Sequence, residues 1–401
     1  LLAQGAEGIA VGLSTKILPH NFVELIDASI KCLRGRKFDL YPDFPTQGVV
    51  DVTNYNDGMR GGKIKVRAKI SQINKNTLVI SQIPYTTTSS SLIESILKAN
   101  DKGKIKIKKI EDNTSADVEI LIHLPNGVSP DKTIDGLFAF TNCEVSISPL
   151  SCIIEDNKPV FIGVSEILKK STEKTKNLLK KELDVRLAEL NLLWHYSTLE
   201  KIFIENRIYR LIEDEETWDG VLEAINKGLK PFINLLKKEV SEDDILKLTE
   251  IKIKRISKFD LEKADKKIKQ IEEDIDKVKF NLENLNDFAI QYFKSLKSTY
   301  STGRQRKTEI RIFDDVDVKK VVVKNSKLYV NREDGFIGTS LRREEYVEDC
   351  SDIDDIIVFT SNGDMIVTKV DSKKFVAKNI LYVSVFKKRD SRTIYLSLIH
   401  I

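Results

Sequence analysis

Between residues 261 and 296, apolar side chains recur at alternating steps of three and four residues. The positions are Leu261, Ala264, Ile268, Ile271, Ile275, Val278, Leu282, Leu285, Ala289, Tyr292 and Leu296. Such spacing is typical of the a and d positions of a heptad repeat, and charged runs fill the positions between them. It predicts one long amphipathic helix of roughly 50 Å, at about 1.5 Å per residue. A helix of this kind needs a second helix to cover its apolar stripe.

An earlier segment offers that second helix. Apolar residues repeat at helical spacing within a highly charged run that begins near Ser165, at Leu179, Leu183, Leu187, Leu190 and Trp194. We therefore predict an antiparallel helix pair within one chain. A parallel homodimeric coiled coil made by the second helix alone is the alternative, because the stripe needs only one partner.

The segment between the two helices favours the intramolecular pair. Residues 214–254 have the pattern of a small helical knob that is punctuated by Gly228 and Pro231. Its candidate core residues are Trp218, Leu222, Ile225, Phe232, Leu235, Ile245 and Leu248. A knob at the far end of a helical stalk accounts for this order of segments.

Composition narrows the class of protein. Charged residues make up 31% of the chain, as long exposed helices would produce. No apolar run has the length of a membrane span and no signal-peptide pattern opens the chain, so we expect a soluble intracellular protein without membrane contact. The four cysteines are scattered, which argues against a zinc site or a disulfide framework. The absence of an initiator Met at Leu1 and the strand-like last residues lead us to expect a fragment.

Positive charge is concentrated in one part of the chain. The net charge is +4, yet residues 60–109 contain twelve Lys and Arg and only two acidic residues. A concentrated basic segment in a nearly neutral chain is the electrostatic pattern of a polyanion-binding protein.

Within this basic segment, two stretches alternate strictly between cations and apolar residues. The first is residues 63–70 and the second is residues 104–108, which predicts two strands with one apolar and one cationic face. If both strands lie in one sheet, seven cations form a row with about 6.6 Å between successive members of a strand, which suits a row of phosphates. They are Lys63, Lys65, Arg67, Lys69, Lys104, Lys106 and Lys108.

The alternative for this row is an ordinary solvated sheet face. We disfavour it because solvated faces normally mix the two signs of charge, whereas these stretches carry one sign. Further strand candidates at residues 78–80 and 118–122, with a helix at residues 91–99, make the region α+β. Few aromatic residues are placed for base stacking, so duplex DNA is a better expected partner than a single strand.

The first residues form a second candidate site. Three glycines around Ile9 predict a tight turn or a short buried strand that lets the backbone approach a partner closely. Asn21 is a candidate cap for the helix that follows. His20 has no carboxylate at a spacing that would make it a general base, so a structural role is favoured over catalysis.

The chain changes character after the long helix. A short basic linker covers residues 303–308, and strand patterns follow at residues 319–323, 327–330, 356–360 and 365–370. Residues 361–364 contain an Asn-Gly pair that predicts a hairpin turn. A loosely similar unit at residues 334–338 suggests neighbouring hairpins of a bladed β fold.

Residues 5–21 closely resemble a signature of the A subunits of bacterial type IIA topoisomerases, gyrase and topoisomerase IV. The usual form ends in Ile-Pro-Pro-His-Asn, so Leu18 is a mild departure. Further segments resemble family motifs in the family's order: Pro42-Asp43-Phe44-Pro45-Thr46, Arg60-Gly61-Gly62-Lys63, Ile83-Pro84-Tyr85 with Leu92-Ile93, Ile245-Leu246-Lys247-Leu248 and Thr308-Glu309-Ile310.

The resemblance covers most of the chain and implies a multidomain α+β architecture. The implied order is the end of the DNA-cleavage core, a basic-faced tower domain, a long antiparallel coiled-coil stalk, a small dimer-forming knob as the exit gate, and the start of an all-β pinwheel. The corresponding ranges are residues 1–34, 35–164, 165–213 with 257–302, 214–256 and 303–401.

The resemblance also implies roles for residues. Ile9 matches the isoleucine that such enzymes insert between base pairs, although from the residues alone a buried core position is equally open. With the row above, Lys16, His20 and Arg60 complete the expected DNA-binding set. The nucleophilic tyrosine and its neighbouring arginine would lie in a winged-helix domain upstream of the signature, so we assign no catalytic residue and no metal ligand here.

The implied partners are duplex DNA, a second copy of the chain through the knob, and a topoisomerase B subunit in an A2B2 heterotetramer. Magnesium and ATP are expected on that B subunit, since the chain shows neither an acidic metal cluster nor a Walker-type loop. A bacterial, nucleoid-associated cytoplasmic protein is expected. No Gln-Arg-Arg-Gly-Gly-Lys-Gly-like sequence, which in gyrase serves DNA wrapping, is present, so topoisomerase IV is favoured over gyrase.

Two other classes of protein fit parts of the pattern. A non-catalytic, coiled-coil architectural protein that bends or bridges duplexes would share the stalk and the basic segment. A purely structural stalk protein would not need cations of one sign. The gene sequence upstream of Leu1 would separate the first of these from a topoisomerase, because only the topoisomerase needs a winged-helix domain with a tyrosine.

Overall fold

The computed structural model describes residues 1–213, 215–252, 256, 261–313, 326–341, 343–352, 354–387 and 393–395. It is a mixed α+β structure, in agreement with the predicted class. The chain divides into two compact units. The first contains Leu1–Asn21, Tyr41–Val164 and Gln305–Ile401, and the second contains Phe22–Leu40 and Ser165–Arg304. The strand predicted at residues 319–323 lies outside the described residues.

The helices and strands of the described residues are numbered here in chain order. The helices are α1 Phe22–Leu33, α2 Ser89–Asp101, α3 Pro130–Phe140, α4 Val164–Glu205, α5 Trp218–Leu229, α6 Glu242–Thr249, α7 Leu261–Glu283 and α8 Leu285–Tyr300. The strands are β1 Ala6–Ala10, β2 Leu13–Ile17, β3 Val49–Asn54, β4 Lys63–Arg67, β5 Lys69–Asn74, β6 Thr77–Gln82, β7 Lys109–Asp112, β8 Ile120–His123, β9 Glu144–Ile147, β10 Cys152–Glu155, β11 Lys158–Phe161, β12 Glu309–Ile310, β13 Ser326–Asn331, β14 Phe336–Gly338, β15 Glu345–Cys350, β16 Asp355–Thr360, β17 Met365–Lys369, β18 Lys374–Phe375 and β19 Ile380–Phe386.

Two four-stranded sheets form the middle of the first unit. One has the order β12-β3-β4-β9 and the other has the order β5-β6-β8-β7. Helices α2 and α3 cover the second sheet, and their apolar sides bury Leu92, Ile96 and Leu137 against its inner face. Helix α2 begins at a capping box in which Thr88 and Ser91 satisfy each other's backbone N–H groups. The predicted helix at residues 91–99 is therefore confirmed.

The single strand predicted for residues 63–70 is two strands in two different sheets. Strand β4 ends at Arg67 and β5 begins at Lys69, and the two belong to the first and second sheets respectively. Ala68 lies between them and its N–H donates to the carbonyl oxygen of Cys143. The predicted inward side chains Ile64, Val66 and Ala68 are buried. The apolar face was thus predicted correctly and the continuity of the strand was not.

Residues 104–108 do not form the predicted strand. The end of helix α2 determines their path, because the N–H groups of Gly103 and Lys104 donate to the carbonyl oxygens of Asn100 and Ala99. Gly103 has a φ of 68°, as helix C-terminal turns require. The side-chain oxygen of Asn100 then accepts the N–H of Ile107. The alternation of Lys and Ile therefore follows a loop that leads into β7.

In the second unit, helix α7 packs along helix α4. Leu183, Leu190 and Trp194 of α4 share one buried cluster with Ile271, Ile275 and Val278 of α7. The Nε1–H of Trp194 donates to Glu272 over 2.9 Å, and Lys201 pairs with Asp265 over 2.6 Å. The second contact lies seven residues after the first on α4 and seven residues before it on α7. The two helices are therefore antiparallel.

The predicted continuous helix from 261 to 296 is interrupted at Asn284. This residue has φ −109° and ψ 44°, and its side-chain amide donates to the carbonyl oxygen of Phe280 over 2.9 Å. A polar side chain that bonds the preceding turn is a recognised cause of helix bending. Beyond Asn284, Ile290 and Phe293 of α8 pack with Ile26 of α1. Tyr292, which was predicted to lie on the apolar stripe, is exposed.

The knob has a core of its own. Ile225, Ile245 and Leu248 are buried there, as predicted, together with Phe203 near the end of α4. Trp218 and Leu235 were predicted as core residues, but they are 57% and 62% exposed. Trp218 is the first residue of α5 and Leu235 ends the 3-10 turn after it, so both lie outside the layer that α5 and α6 cover.

The C-terminal part of the first unit contains two further antiparallel sheets. Their orders are β15-β13-β14-β18 and β17-β16-β19, and they share one buried cluster that includes Leu328, Ile337, Ile356 and Val358. The hairpin predicted at residues 361–364 is confirmed, since Phe359 pairs with Met365 and Gly363 has a φ of 86°. A second hairpin joins β13 to β14, as its similar sequence suggested.

Candidate nucleic-acid interface

Ile9 lies near the tip of a projecting hairpin. Strands β1 and β2 pair in register from Ala6 with Ile17 to Ala10 with Leu13. The side chain of Ile9 is 91% exposed, and Val11 beside it is fully exposed. The predicted alternative of a buried core strand is therefore wrong. Two exposed apolar side chains so close together at the tip of a hairpin form a candidate contact surface, because water solvates them poorly.

The base of this hairpin is tightly closed. Gly5 has a φ of 74°, and a Cβ atom there would lie 2.7 Å from the carbonyl oxygen of Ile17. Only glycine fits both conditions without displacing the backbone. This is the physical role of one of the three glycines around Ile9.

Strand β2 is held to residues 150–152 on the side away from β1. Lys16 and Leu150 exchange two backbone hydrogen bonds of 2.7 and 3.0 Å. The hydroxyl of Thr15 donates to the carbonyl oxygen of Cys152 over 2.9 Å and accepts the N–H of Cys152 over 3.2 Å. The ammonium of Lys16 itself pairs with Glu7 across the hairpin over 2.9 Å.

His20 lies inside the first unit and is 3% exposed. Its Nε2 is joined to the hydroxyl oxygen of Tyr55 by a hydrogen bond of 3.1 Å, and its backbone N–H donates to the carbonyl oxygen of Leu2. Burial raises the pKa of Tyr55, so the phenol remains protonated. This geometry agrees with the structural role that the sequence favoured, and it gives His20 no direct access to solvent.

Arg60 and Lys63 belong to a glycine-rich loop and to the strand that it enters. Both side chains are exposed. Gly62 lies between them, and a Cβ atom there would collide with the carbonyl oxygen of Tyr55. The loop therefore packs its backbone against the protein while its cations point outward. Neither cation forms an ion pair with an acidic side chain in the described part of the chain.

The face of β4 that carries Lys65 and Arg67 contains both signs of charge. Glu144 of β9 lies opposite Arg67, whose Nε donates to it over 2.6 Å, and Lys65 is 3.8 Å from the same carboxylate. Asp51 of β3 pairs with Lys65 in register. The expectation of an unmixed cationic face is wrong, because the neighbouring strands supply the acidic residues.

Arg67 is also held between two aromatic rings. Its guanidinium carbon lies 4.6 Å from the ring centre of Phe138 and 4.2 Å from that of Phe313. Such contacts are favourable cation–π interactions. Arg67 therefore has extensive partners within the protein.

The remaining predicted cations are distributed over other elements. Lys69 begins β5 in the second sheet, whereas Lys104, Lys106 and Lys108 lie in the loop between α2 and β7. Lys104 is 3.6 Å from Asp352 and contacts the ring of Phe140. Lys69, Lys106 and Lys108 are exposed and form no ion pair with the described residues. The seven cations thus do not form one row.

One arrangement was not recognised as a site in the sequence. Asp43 accepts hydrogen bonds from the side chain of Asn21 and from the N–H groups of Lys307 and Thr308. Burial opposes the ionisation of Asp43, but these hydrogen bonds outweigh it and hold the pKa of the carboxyl below its usual value. Strand β12 then adds in parallel to the edge of β3. The sequence offered one indication of this arrangement. The segment around Asp43 and the segment Thr308-Glu309-Ile310 both resemble family motifs.

The described residues contain no group of three or more His, Cys, Asp or Glu side chains placed to hold a metal ion. They also contain no helix that is long and apolar enough to cross a membrane. The four cysteines are free thiols, and burial raises the pKa of Cys143 to about 12.

Two family models match the chain. Residues 1–294 match the family of the DNA gyrase/topoisomerase IV A subunit. Residues 327–401 match the topoisomerase C-terminal domain of Bacteroidota. The two matches together cover most of both compact units.

Individual relatives show the same similarity. The DNA topoisomerase 4 A subunit of Borreliella burgdorferi is 36% identical over 400 residues, which is 100% of this chain and 63% of the relative. The DNA gyrase A subunit of Aminobacterium colombiense is 24% identical over 92% of this chain and 50% of the relative. That of Chlamydia muridarum is 23% identical over 84% of this chain and 42% of the relative. The chain therefore spans about two fifths to just under two thirds of the length of these relatives.

Proposed function

Because the chain belongs to the DNA gyrase/topoisomerase IV A subunit family, we propose that it is the DNA-binding and exit-gate portion of the A subunit of an ATP-dependent type II topoisomerase. Such an enzyme passes one duplex through a transient double-strand break in another. The higher identity to a topoisomerase 4 subunit than to the gyrase subunits favours topoisomerase IV, and hence relaxation and decatenation of chromosomes.

The exposed Ile9 is the observation that carries the DNA-binding part of this proposal. An apolar side chain at the tip of a narrow hairpin has the form of a wedge between base pairs. Unstacking a base step costs a few kcal/mol, and the bend that results brings more of the duplex against the protein. Exposed cations at Arg60, Lys63 and Lys69 would then contact phosphates.

The remaining parts receive roles in the same scheme. We assign residues 1–34 to the end of the cleavage core and residues 35–164 to a tower domain beside the DNA. The antiparallel contacts of α4 with α7 support a coiled-coil stalk formed by residues 165–213 and 257–302. The two C-terminal sheets support the start of a β-pinwheel within residues 303–401.

Residues 214–256 would form the dimerisation knob. Trp218 and Leu235 support this role, because large apolar side chains on the surface of a small helical domain are typical of a protein interface. A second copy of the chain would cover them. This assigns dimerisation to the knob rather than to the helical stripe, which α4 already covers.

The partners of the whole enzyme follow from the family. A B subunit would complete an A2B2 heterotetramer and would carry ATP and Mg²⁺. Strand cleavage is not assigned to any residue of this chain, and the set of DNA contacts is assigned to Ile9 and to the exposed cations. Chromosomal DNA as the substrate would place the protein with the bacterial nucleoid in the cytoplasm.

The wedge is tested by comparing Ile9→Ala with the unchanged protein on a short duplex labelled at both ends. Energy transfer between the labels reports bending, and sedimentation reports the dimer. We expect Ile9→Ala to lower bending and, in the full-length enzyme with its B subunit, to lower cleavage in parallel while the dimer persists. Unchanged bending by this variant would remove the wedge from the proposal.

A further inference from the structure

The segment of residues 150–152 holds two parts of the proposed interface at once. Residues 150 and 152 bond to strand β2 of the hairpin. Ser151 faces the other way, and both its N–H and its hydroxyl donate to the carbonyl oxygen of Gly58, over 2.9 and 3.0 Å. Alternate residues of an extended chain point to opposite sides, so one short segment joins the hairpin to the loop that leads to Arg60.

Among the bonds between residues 150–152 and the hairpin, those of the Thr15 hydroxyl lie closest to the hairpin tip. Lys16 bonds Leu150 through backbone atoms, whereas one residue closer to the tip the side chain of Thr15 bonds both the carbonyl oxygen and the N–H of Cys152. Thr15 pairs with Gly8 across the hairpin, and the next pair is Ile9 with Ser14. The anchor therefore ends one residue pair before the proposed wedge.

The position of this anchor has a mechanical consequence. A side chain that separates stacked bases experiences an opposing force, and a hairpin that bends under that force inserts its tip less often. Holding the hairpin in its inserting geometry before DNA arrives reduces the conformational freedom that binding must remove. The contribution of Thr15 is thus expected in the bent complex and not in the first electrostatic contact.

We propose that Thr15 is a positioning residue, which braces the hairpin against residues 150–152 so that Ile9 can bend the duplex. This inference rests on the proposed role of Ile9. It goes beyond that role because it assigns a function to a hydroxyl group that need not touch DNA. Thr15 is half-buried, its neighbour across the hairpin is a glycine, and its hydroxyl serves as both donor and acceptor.

The test uses Thr15→Val, which keeps the shape of the side chain and removes the hydroxyl, and Thr15→Ser, which keeps the hydroxyl. Thr53→Val is the matched control, because the Thr53 hydroxyl donates to the nearby Asp51 on the same strand, β3, and not to residues 150–152. Duplex bending is measured by energy transfer, and affinity is measured as a function of salt. Thr15→Val should lower the ratio of bent to unbent complex about fivefold, the effect of one net hydrogen bond, without changing the salt slope.

Thr15→Ser and Thr53→Val should bend DNA as the unchanged protein does. Thr15→Ala is a second variant without the hydroxyl, and it adds no methyl group in its place. It should show the same loss of bending, and it provides the test if Thr15→Val disturbs folding. If Ile9→Ala lowers bending and both hydroxyl-free variants do not, the bracing role is overturned and the wedge stands. If Ile9→Ala itself leaves bending unchanged, the wedge fails and this inference fails with it.

Discussion

Arg67 donates a hydrogen bond from its Nε to Glu144 over 2.6 Å, across the neighbouring strands β4 and β9. The guanidinium also lies between two aromatic rings, one of which belongs to the segment that follows β12. This cation therefore joins a helix, a sheet and the segment that leads into the C-terminal sheets. Its main contribution should be to the stability of the first unit.

Replacing Arg67 by Ala should lower the free energy of unfolding by about 2 kcal/mol, because Glu144 loses a charged hydrogen bond in a partly buried site. Thermal unfolding measures this loss. Arg311→Ala is the control, since its ion pair with Glu309 is exposed and should contribute little. An Arg67 variant of full stability with a reduced salt slope for DNA would instead make Arg67 a phosphate contact.

Lys63 and Lys69 should contribute to DNA affinity through phosphate contacts. Both are exposed and form no ion pair among the described residues. Changing both to Gln should reduce the slope of log K against log salt by about 2, since each lost contact removes about 0.9. Lys98→Gln is the control, because Lys98 already pairs with Glu94 on α2. An unchanged slope in the double variant would make these lysines ordinary solvated residues.

Trp218 and Leu235 should hold the dimer together. Changing Trp218 to Ala and Leu235 to Ser should shift the protein to monomers at micromolar concentration without loss of helicity, because both side chains are outside the knob core. Sedimentation equilibrium measures the shift. Leu192→Ala is the control, as this exposed leucine lies on α4. Dimers that survive complete removal of the knob would favour a parallel coiled coil between copies.

The hydrogen bonds to Asp43 should make the docking of the linker sensitive to acid. The pKa of Asp43 is lowered in the folded protein, so its ionised carboxylate stabilises the fold. This stabilisation is fully present above the unfolded pKa of about 3.9 and is lost as the pH falls below that value. Asp43→Asn should lower Tm near neutral pH. The difference in Tm from the unchanged protein should shrink between about pH 5 and pH 3. A difference that stays constant over this range would show that the charge of Asp43 contributes nothing.

Local patterns predicted the elements that depend on nearby residues. The Asn-Gly turn at residues 361–364 formed as expected because glycine accepts positive φ at little cost. The stripe residues Ile271, Ile275 and Val278 are buried as their spacing indicated. In both cases the relevant partners lie within one element or repeat regularly along it.

Contacts between distant segments were not predictable in the same way. The alternating cations around Lys65 gave no sign that Glu144, far along the chain, would lie among them. The Lys-Ile alternation near Lys106 resembled a strand, but the preceding helix end determined the backbone there. The anchoring of Thr15 to Cys152 likewise joins residues that are 137 positions apart in the chain. Periodicity describes one segment at a time and carries no information about which segments become neighbours.

The contacts between helices α4 and α7 also repeat at a fixed interval of one heptad. Trp194 contacts Glu272, and the next marked contact joins Lys201 to Asp265, one heptad forward on one helix and one heptad back on the other. Removing seven residues from each helix would restore every facing pair and shorten the assembly by about 10 Å. Removing three or five would break this register, and the helices would have to overwind or unwind locally to bury their apolar stripes again. The changes of length that preserve the register are therefore steps of one heptad, taken in both helices together.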